Sequence, residues 1–131
     1  MEVIAFFAVG TGAALGAWLR WGLGIALNPI FPTVPLGTLA ANLSGGFLMG
    51  ITIALLGTYP AAPPELRLAI TTGFLGGFTT FSTFSAEVVT LLGNKQYFWA
   101  MTAIATHVIG SLVLTAVGIS VAYWIFRKGS P

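Results

Sequence analysis

A polar and glycine-rich run interrupts an apolar stretch in the middle of the chain. Residues 73–85 read Gly-Phe-Leu-Gly-Gly-Phe-Thr-Thr-Phe-Ser-Thr-Phe-Ser. Glycines and β-branched or hydroxyl residues make a poor helix interior. Unwound backbone at membrane depth persists only where protein or an aqueous cavity surrounds it, and its carbonyls can bind cations. We therefore predict a break in a membrane helix that handles ions; a flexible glycine cluster is the alternative.

Two phenylalanines of this run share a helix face if the helix resumes there. Phe81 and Phe84 are three positions apart. An aromatic ring has a positive edge that can meet an anion. Residue type alone favours the simpler interpretation, in which both rings pack against the core or lipid.

Asn42 lies well inside the second apolar stretch, and Thr38 lies one helical turn before it. A buried amide needs hydrogen-bond partners and offers two donors. The sequence leaves two roles open for Asn42: a hydrogen bond between helices, or donation to an anion that has lost its water.

His107, Ser111 and Thr115 are spaced at four-residue intervals in the last apolar stretch. Such a stripe predicts a polar track along a groove, although hydroxyls in helices also bond their own backbone. His107 is the only histidine and the chain has no cysteine, so a metal site built from such ligands has no support. No set of nucleophile, base and acid is recognisable either, which argues against an enzyme.

Arg20 and Glu87 are the charged residues nearest to membrane depth. Charges within a membrane usually mark function because inserting them is expensive. Both lie toward the ends of apolar stretches, where reaching the interface or pairing with each other is the simpler role. We therefore place neither in a conduction path.

The elements that carry these residues are predicted to be membrane helices. Of the 131 residues 56% are hydrophobic and only 6% are charged, whereas soluble domains carry about 25% charged residues. A helix of roughly 20 apolar residues crosses a bilayer. The chain is thus predicted to be an all-α membrane protein, a single transmembrane domain over residues 1–131. Its four spans lie at about residues 3–27, 36–57, 66–92 and 97–126.

Four spans place both termini on one side of the membrane. The lysines and arginines then divide almost evenly between the two sides, so the charge bias that sets orientation is weak and permits insertion both ways. Without a cluster of basic residues, nucleic acid is not an expected partner. The positions counted are Arg67, Arg127 and Lys128 on one side, and Lys95 and Arg20 on the other.

Glycines spaced four apart let helix backbones approach closely in lipid. For the first two of three such pairs, ordinary helix packing is the favoured interpretation. The pairs are Gly12 and Gly16, Gly46 and Gly50, and Gly73 and Gly77.

Three segments together resemble the Fluc (CrcB) family of fluoride ion channels. Residues 73–85 closely resemble that family's signature, residues 37–42 its second-helix motif, and residues 16–20 its first-helix motif. The number of spans and the length agree with the family, so the resemblance covers the whole chain.

The resemblance implies a homodimer of subunits inserted antiparallel in the cell (inner) membrane. It implies two passive pores that export fluoride and lower its toxicity. Asn42 would line a pore, and Phe81 and Phe84 would form an aromatic box around fluoride. A structural sodium ion, Na⁺, would be held at the dimer interface by the backbone carbonyls of Gly76 and Thr79. The polar positions that match the pore lining are Thr38, Ser82, Thr83 and Ser111.

The last predicted helix departs from the family pattern at two positions. His107 stands where a smaller polar residue is expected, and Ala103 replaces a tyrosine one turn earlier. A histidine at that position can donate to an anion, block the path or add pH sensitivity.

The lack of an acidic relay in this set favours a passive channel over a proton-coupled carrier. The main alternative is a small four-span proton-coupled multidrug exporter, which needs an acidic residue in the membrane; Glu87 is the candidate. A structural or assembly subunit is the third hypothesis.

Overall fold

The chain is helical almost throughout residues 2–127, which are the residues that the computed structural model describes. The predicted all-α class is confirmed. Lys128, which the charge balance counted, lies outside the described residues. The helical elements are α1 (Glu2–Leu27), a 3₁₀ turn (Asn28–Ile30), α2 (Leu36–Thr58), α3 (Pro64–Leu68), a π-helical segment (Ala69–Leu75), α4 (Gly76–Phe78), α5 (Phe81–Gly93) and α6 (Tyr97–Arg127).

Within residues 2–127, three helices are long and apolar enough to cross a membrane. They are Glu2–Ile30, Leu36–Thr58 and Tyr97–Phe126, and they correspond to the first, second and fourth predicted spans. The chain is therefore a multi-pass membrane protein. The third predicted span, residues 66–92, consists of α3, the π-helical segment, α4 and α5, none of which is that long alone. The total of four spans stays a prediction.

Helical backbone stops after Phe78 and resumes at Phe81. The two residues between them are extended, with φ −86° and ψ 158° at Thr79 and φ −149° and ψ 116° at Thr80. Gly76, which the sequence suggested as part of the unwound segment, is helical at φ −64° and ψ −39°. Threonine is stiff and favours extended backbone, so the interruption falls on the threonines rather than the glycines.

The glycines serve close contact between helices. A Cβ on Gly16 of α1 would lie 2.7 Å from the backbone nitrogen of Phe78, and one on Gly77 would lie 2.9 Å from Ala13 Cα. The segment before the interruption therefore packs directly on α1. On the other side of the molecule α2 packs against α6, where a Cβ on Gly46 would lie 3.1 Å from the Ser111 carbonyl.

A group of buried apolar residues joins α5 to the first half of α6. Large apolar side chains elsewhere on α1 and α6 point outward, as expected of helices that contact lipid or another subunit. The buried group comprises Val34, Phe84, Val88, Leu91, Ala100 and Ala103.

Candidate functional site

Asn42 on α2 holds the two extended residues in place. Its Oδ1 accepts from the Thr80 backbone N–H at 2.7 Å, and its Nδ2 donates to the Thr80 carbonyl at 2.9 Å. The side-chain amide thus pairs with both backbone groups of one residue, as a neighbouring strand would. This pair satisfies polar backbone that the helix no longer satisfies at this depth.

The interruption also deprives backbone carbonyls of their usual donors. In a continuous helix each N–H donates to the carbonyl four residues earlier. The Thr80 N–H donates to Asn42 instead of the Gly76 carbonyl. The Thr83 N–H donates to Thr80 Oγ1 at 3.2 Å instead of the Thr79 carbonyl. The carbonyls of Gly76 and Thr79, which the family resemblance implies as sodium ligands, are therefore both without these helical donors.

Arg20 binds the carbonyl that lies between those two in the sequence. Its Nε donates to the Gly77 carbonyl at 3.1 Å. Glu87 has a different partner, because its Oε1 accepts from the Thr38 hydroxyl at 2.6 Å. The two charges are thus engaged separately, rather than with each other as one interpretation of the sequence had it.

Three rings line up beside Asn42. The centroids of Phe81 and Phe84 lie 5.5 Å apart at an interplanar angle of 69°, which is an edge-to-face arrangement. Phe84 is buried and stacks on the His107 imidazole at 4.5 Å and 29°. Phe81 is 76% exposed on the single chain. The rings therefore form a short row that runs from the surface of the chain to its interior.

His107 on α6 contacts the amide from the other side. Its Nδ1 lies 3.1 Å from Asn42 Nδ2, although the two residues are 65 positions apart in the sequence. Only 4% of His107 is exposed. Asn42 therefore links α6 to the extended residues through a single side chain.

A cavity of about 460 Å³, the central cavity, is lined by most of the predicted site residues. Among the described residues that line it there is no aspartate, glutamate, lysine or arginine, so its polar groups are amide, imidazole, hydroxyl and backbone. The lining includes Asn42, Gly76, Thr79, Thr80, Phe81, Phe84, His107, Ser111 and Thr115.

Two of the predicted pore residues lie in neighbouring cavities. Thr38 and Thr83 line a cavity of about 320 Å³ together with Thr80, which also lines the first. Thr83 and Glu87 line a third cavity of about 470 Å³, which reaches the turn after α5. The hydroxyl of Ser82 lies 3.3 Å from Thr80 Oγ1.

The hydroxyl stripe on α6 is not uniform. Thr115 Oγ1 lies 3.0 Å from the Gly46 carbonyl and 2.9 Å from the Ser111 carbonyl, so its hydrogen is engaged by backbone. For Thr115 the simpler interpretation, bonding to backbone, therefore applies. Ser111 lines the central cavity.

Thr80 is the residue that sequence reasoning missed. It pairs with Asn42 through its backbone and caps α5 through its side chain. Threonine is among the preferred residues at a helix N-terminus, so the onset of helix at Phe81 was a usable signal. Nothing in the local pattern indicated its pairing with Asn42.

Together, these features define a class: an all-helical, multi-pass membrane protein with an uncharged polar cavity beside interrupted backbone. The model of CrcB-like proteins, described as Camphor Resistance (CrcB), matches residues 7–119. The chain belongs to this family.

Several close relatives carry one name, "Fluoride-specific ion channel FluC". The relative from Nitrosospira multiformis is 58% identical over 125 residues, which cover 95% of this chain and 98% of the relative. The relative from Pseudomonas putida is 54% identical over 92% of this chain and 95% of its own length. The relative from Aromatoleum aromaticum is 59% identical over 87% of each chain. These names describe an ion channel rather than an enzyme.

Proposed function

We propose that this protein is a channel that conducts fluoride passively out of the cell and so lowers its toxicity. The observation that carries the proposal is the central cavity, where an amide, hydroxyls and aromatic edges converge without a charged side chain. The names of its relatives point to the same ion. Fluoride is small and tightly hydrated, so a pore must replace its water with close donors.

The lining residues supply such donors without holding the ion too strongly. The Nδ2 group of Asn42 and the hydroxyl of Ser111 can each donate a hydrogen, and the edges of Phe81 and Phe84 carry partial positive charge. A fixed positive charge would trap the anion, whereas conduction needs sites from which an ion also leaves. An uncharged polar lining fits that requirement.

The path we propose runs through the three cavities, of which only the first has no charged side chain in its described lining; Arg20 lines the second and Glu87 the third. Thr80 is common to the first and second, and Thr83 is common to the second and third. Thr38 lines the second cavity and donates its hydroxyl hydrogen to the Glu87 carboxylate, while Ser82 lies next to Thr80. Engaged in this way, Glu87 presents less free negative charge to an approaching anion.

The residues near the interruption also fit a structural sodium ion. Hard cations prefer oxygen ligands, and backbone carbonyls are common among them. The carbonyls of Gly76 and Thr79 have lost their helical donors to Asn42 and Thr80, which supports them as the ligands. A bound sodium ion would pair with these carbonyl oxygens in place of the lost N–H donors.

We further propose that two copies assemble as an antiparallel, dual-topology homodimer with four spans in each subunit. The cavity borders three apolar side chains that are exposed on the single chain: Phe81, Val108 and Leu112. Lipid beside an open polar cavity would leave its polar groups without partners. A second copy would close the cavity and cover this apolar rim, while the remaining apolar surface contacts membrane lipid.

Reconstituted protein tests the proposed function directly. Purified protein in liposomes loaded with potassium fluoride should release fluoride when valinomycin lets potassium follow, as measured by a fluoride electrode. Liposomes loaded with chloride serve as the matched control for selectivity and should release far less anion. Fluoride release no faster than from protein-free liposomes would contradict the proposal.

The proton-coupled multidrug exporter has no support from the three relatives described above, each of which carries the channel name. Its required acidic residue, Glu87, does not line the central cavity and is bonded to Thr38. A structural subunit without transport would leave the uncharged polar cavity unexplained.

A further inference from the structure

The amide of Asn42 has a fixed orientation. Its oxygen must face the Thr80 N–H, because only Oδ1 can accept that hydrogen at 2.7 Å. Its nitrogen therefore carries the two remaining contacts. One hydrogen donates to the Thr80 carbonyl at 2.9 Å and the other points at His107 Nδ1, 3.1 Å away.

This orientation determines where the imidazole carries its proton. Asn42 Nδ2 is only a donor, so Nδ1 must accept and cannot carry a hydrogen. His107 is consequently neutral and carries its hydrogen on Nε2. That atom is buried and has no hydrogen-bond partner among residues 2–127.

We propose that His107 is an internal competitor of the transported anion, an inference that rests on the proposed function. Without an anion, His107 Nδ1 accepts a hydrogen bond from Asn42 Nδ2. The hydrogen in this bond is the one that is not bonded to the Thr80 carbonyl. An anion that enters the cavity takes this hydrogen, and the bond between Asn42 and His107 opens.

The competition favours the anion for reasons of charge. A hydrogen bond to an ion is about twice as strong as one between neutral groups. The other Nδ2 hydrogen of Asn42 is bonded to the Thr80 carbonyl. That bond and the bond from the Thr80 N–H to Oδ1 together close a ring between the two residues. Releasing that hydrogen would leave backbone unpaired at membrane depth, which is costly. The single bond to His107 is therefore the one that yields.

His107 is a positioning residue in this scheme, since it acts on the ion through Asn42. Its ring stays stacked on Phe84 while the bond to Asn42 opens. The hydrogen on Nε2 is buried without an acceptor, so the state in which His107 is bonded to Asn42 is less stable than a fully hydrogen-bonded one. This lowers the free-energy cost of opening that bond.

The protein's single histidine makes the test specific. Protein labelled with ¹⁵N-histidine, and purified through a tag without histidine, should show an unprotonated Nδ1 and a protonated Nε2 at neutral pH. Adding fluoride should shift the Nδ1 signal as it loses its donor, whereas chloride should not. A protonated Nδ1 would overturn the inference whatever the transport assay shows.

Transport measurements separate this inference from the proposed function. If wild-type liposomes release fluoride but the Nδ1 signal does not respond to it, the competition is wrong and the channel stands. If wild-type liposomes release none, the proposed function fails instead, and the fluoride competition with it. The spectrum without fluoride still tests the pairing with Asn42.

Two substitutions of His107, by asparagine and by leucine, give a second readout, because these side chains are similar in shape and differ in polarity. His107→Asn keeps an acceptor near the position of Nδ1, whereas His107→Leu places a methyl group there. The fluoride concentration that gives half-maximal flux should fall several-fold in His107→Leu and stay near the wild-type value in His107→Asn. Equal values in both variants would overturn the competition.

Discussion

At the scale of single residues, Asn42 connects structure to conduction. The same amide that secures Thr80 offers the donor that we assign to fluoride. A substitution of Asn42 therefore affects both the hydrogen bonds to Thr80 and the proposed contact with fluoride, and an experiment has to separate the two. Aspartate is the most informative substitution because it has the same shape and keeps an oxygen for the Thr80 N–H.

We expect Asn42→Asp to reduce fluoride flux at least about tenfold. It removes both donors and places negative charge in the cavity, and one hydrogen bond to a charged group is worth about 1.5–3 kcal/mol. The measurement is fluoride release from liposomes at matched protein content. A symmetric elution profile in detergent controls for folding. Flux at the wild-type level in a folded variant would remove Asn42 from the pathway.

The two exposed phenylalanines Phe81 and Phe98 give a matched comparison. On the single chain 76% of Phe81 and 72% of Phe98 are exposed, but only Phe81 lines the central cavity. We expect Phe81→Ile to reduce fluoride flux severely, because isoleucine has no positive ring edge. Phe98→Ile should leave flux close to wild type. Similar effects in both variants would mean that the loss reflects altered apolar surface rather than anion contact.

At the scale of elements, the decisive feature is that α1 supports the segment before the interruption. Gly16 and Gly77 allow this contact, and Arg20 of the same helix binds the Gly77 carbonyl. The position of the extended residues thus depends on a helix that does not line the central cavity. Changes in α1 should therefore reach the site through packing.

A pair of glycines in α1 tests this dependence. A Cβ at Gly16 would lie 2.7 Å from Phe78 N, whereas one at Gly22 would have no described atom within 4 Å apart from its own stretch of helix. We expect Gly16→Ala to destabilise the protein by about 1–3 kcal/mol through overpacking. Gly22→Ala should be neutral or stabilise it by up to about 1 kcal/mol through helix propensity. Unfolding in mixed detergent measures both; equal stability of the two would contradict the assigned contact.

The sequence predicted the elements better than their contacts. Hydropathy and charge were enough for the all-α class and for the apolar helices. The glycine-rich run indicated that helix would be interrupted, but the extended residues are Thr79 and Thr80. Glycine costs helix stability by itself, yet its contact with α1 offsets that cost, which no local pattern reveals.

The site was predicted only in part for a related reason. Asn42, Phe81, Phe84 and Ser111 were identifiable from residue type and family resemblance, and all line one cavity. The bond from Asn42 to His107 joins residues 65 positions apart. Such a contact depends on the relative rotation of two helices, which the sequence of either helix does not specify.

At the scale of the whole molecule, the central cavity is unfinished on a single chain. Its uncharged polar lining meets an exposed apolar rim, which is why we propose a second copy as the missing wall. An antiparallel copy requires the chain to insert in both orientations. The nearly even distribution of lysine and arginine makes that insertion possible.

Labelling from one side of the membrane tests the dual topology. The chain has no cysteine, so Ala61→Cys and Lys95→Cys each introduce a single thiol, at exposed turns before α3 and after α5. With four spans these turns lie on opposite sides. In cells treated with an impermeant maleimide, we expect both variants to label in part, because each population contains both orientations. Detergent lysis should then complete the labelling in both. Full labelling of one variant and none of the other would mean a single orientation, and the closing wall of the cavity would then need a different partner.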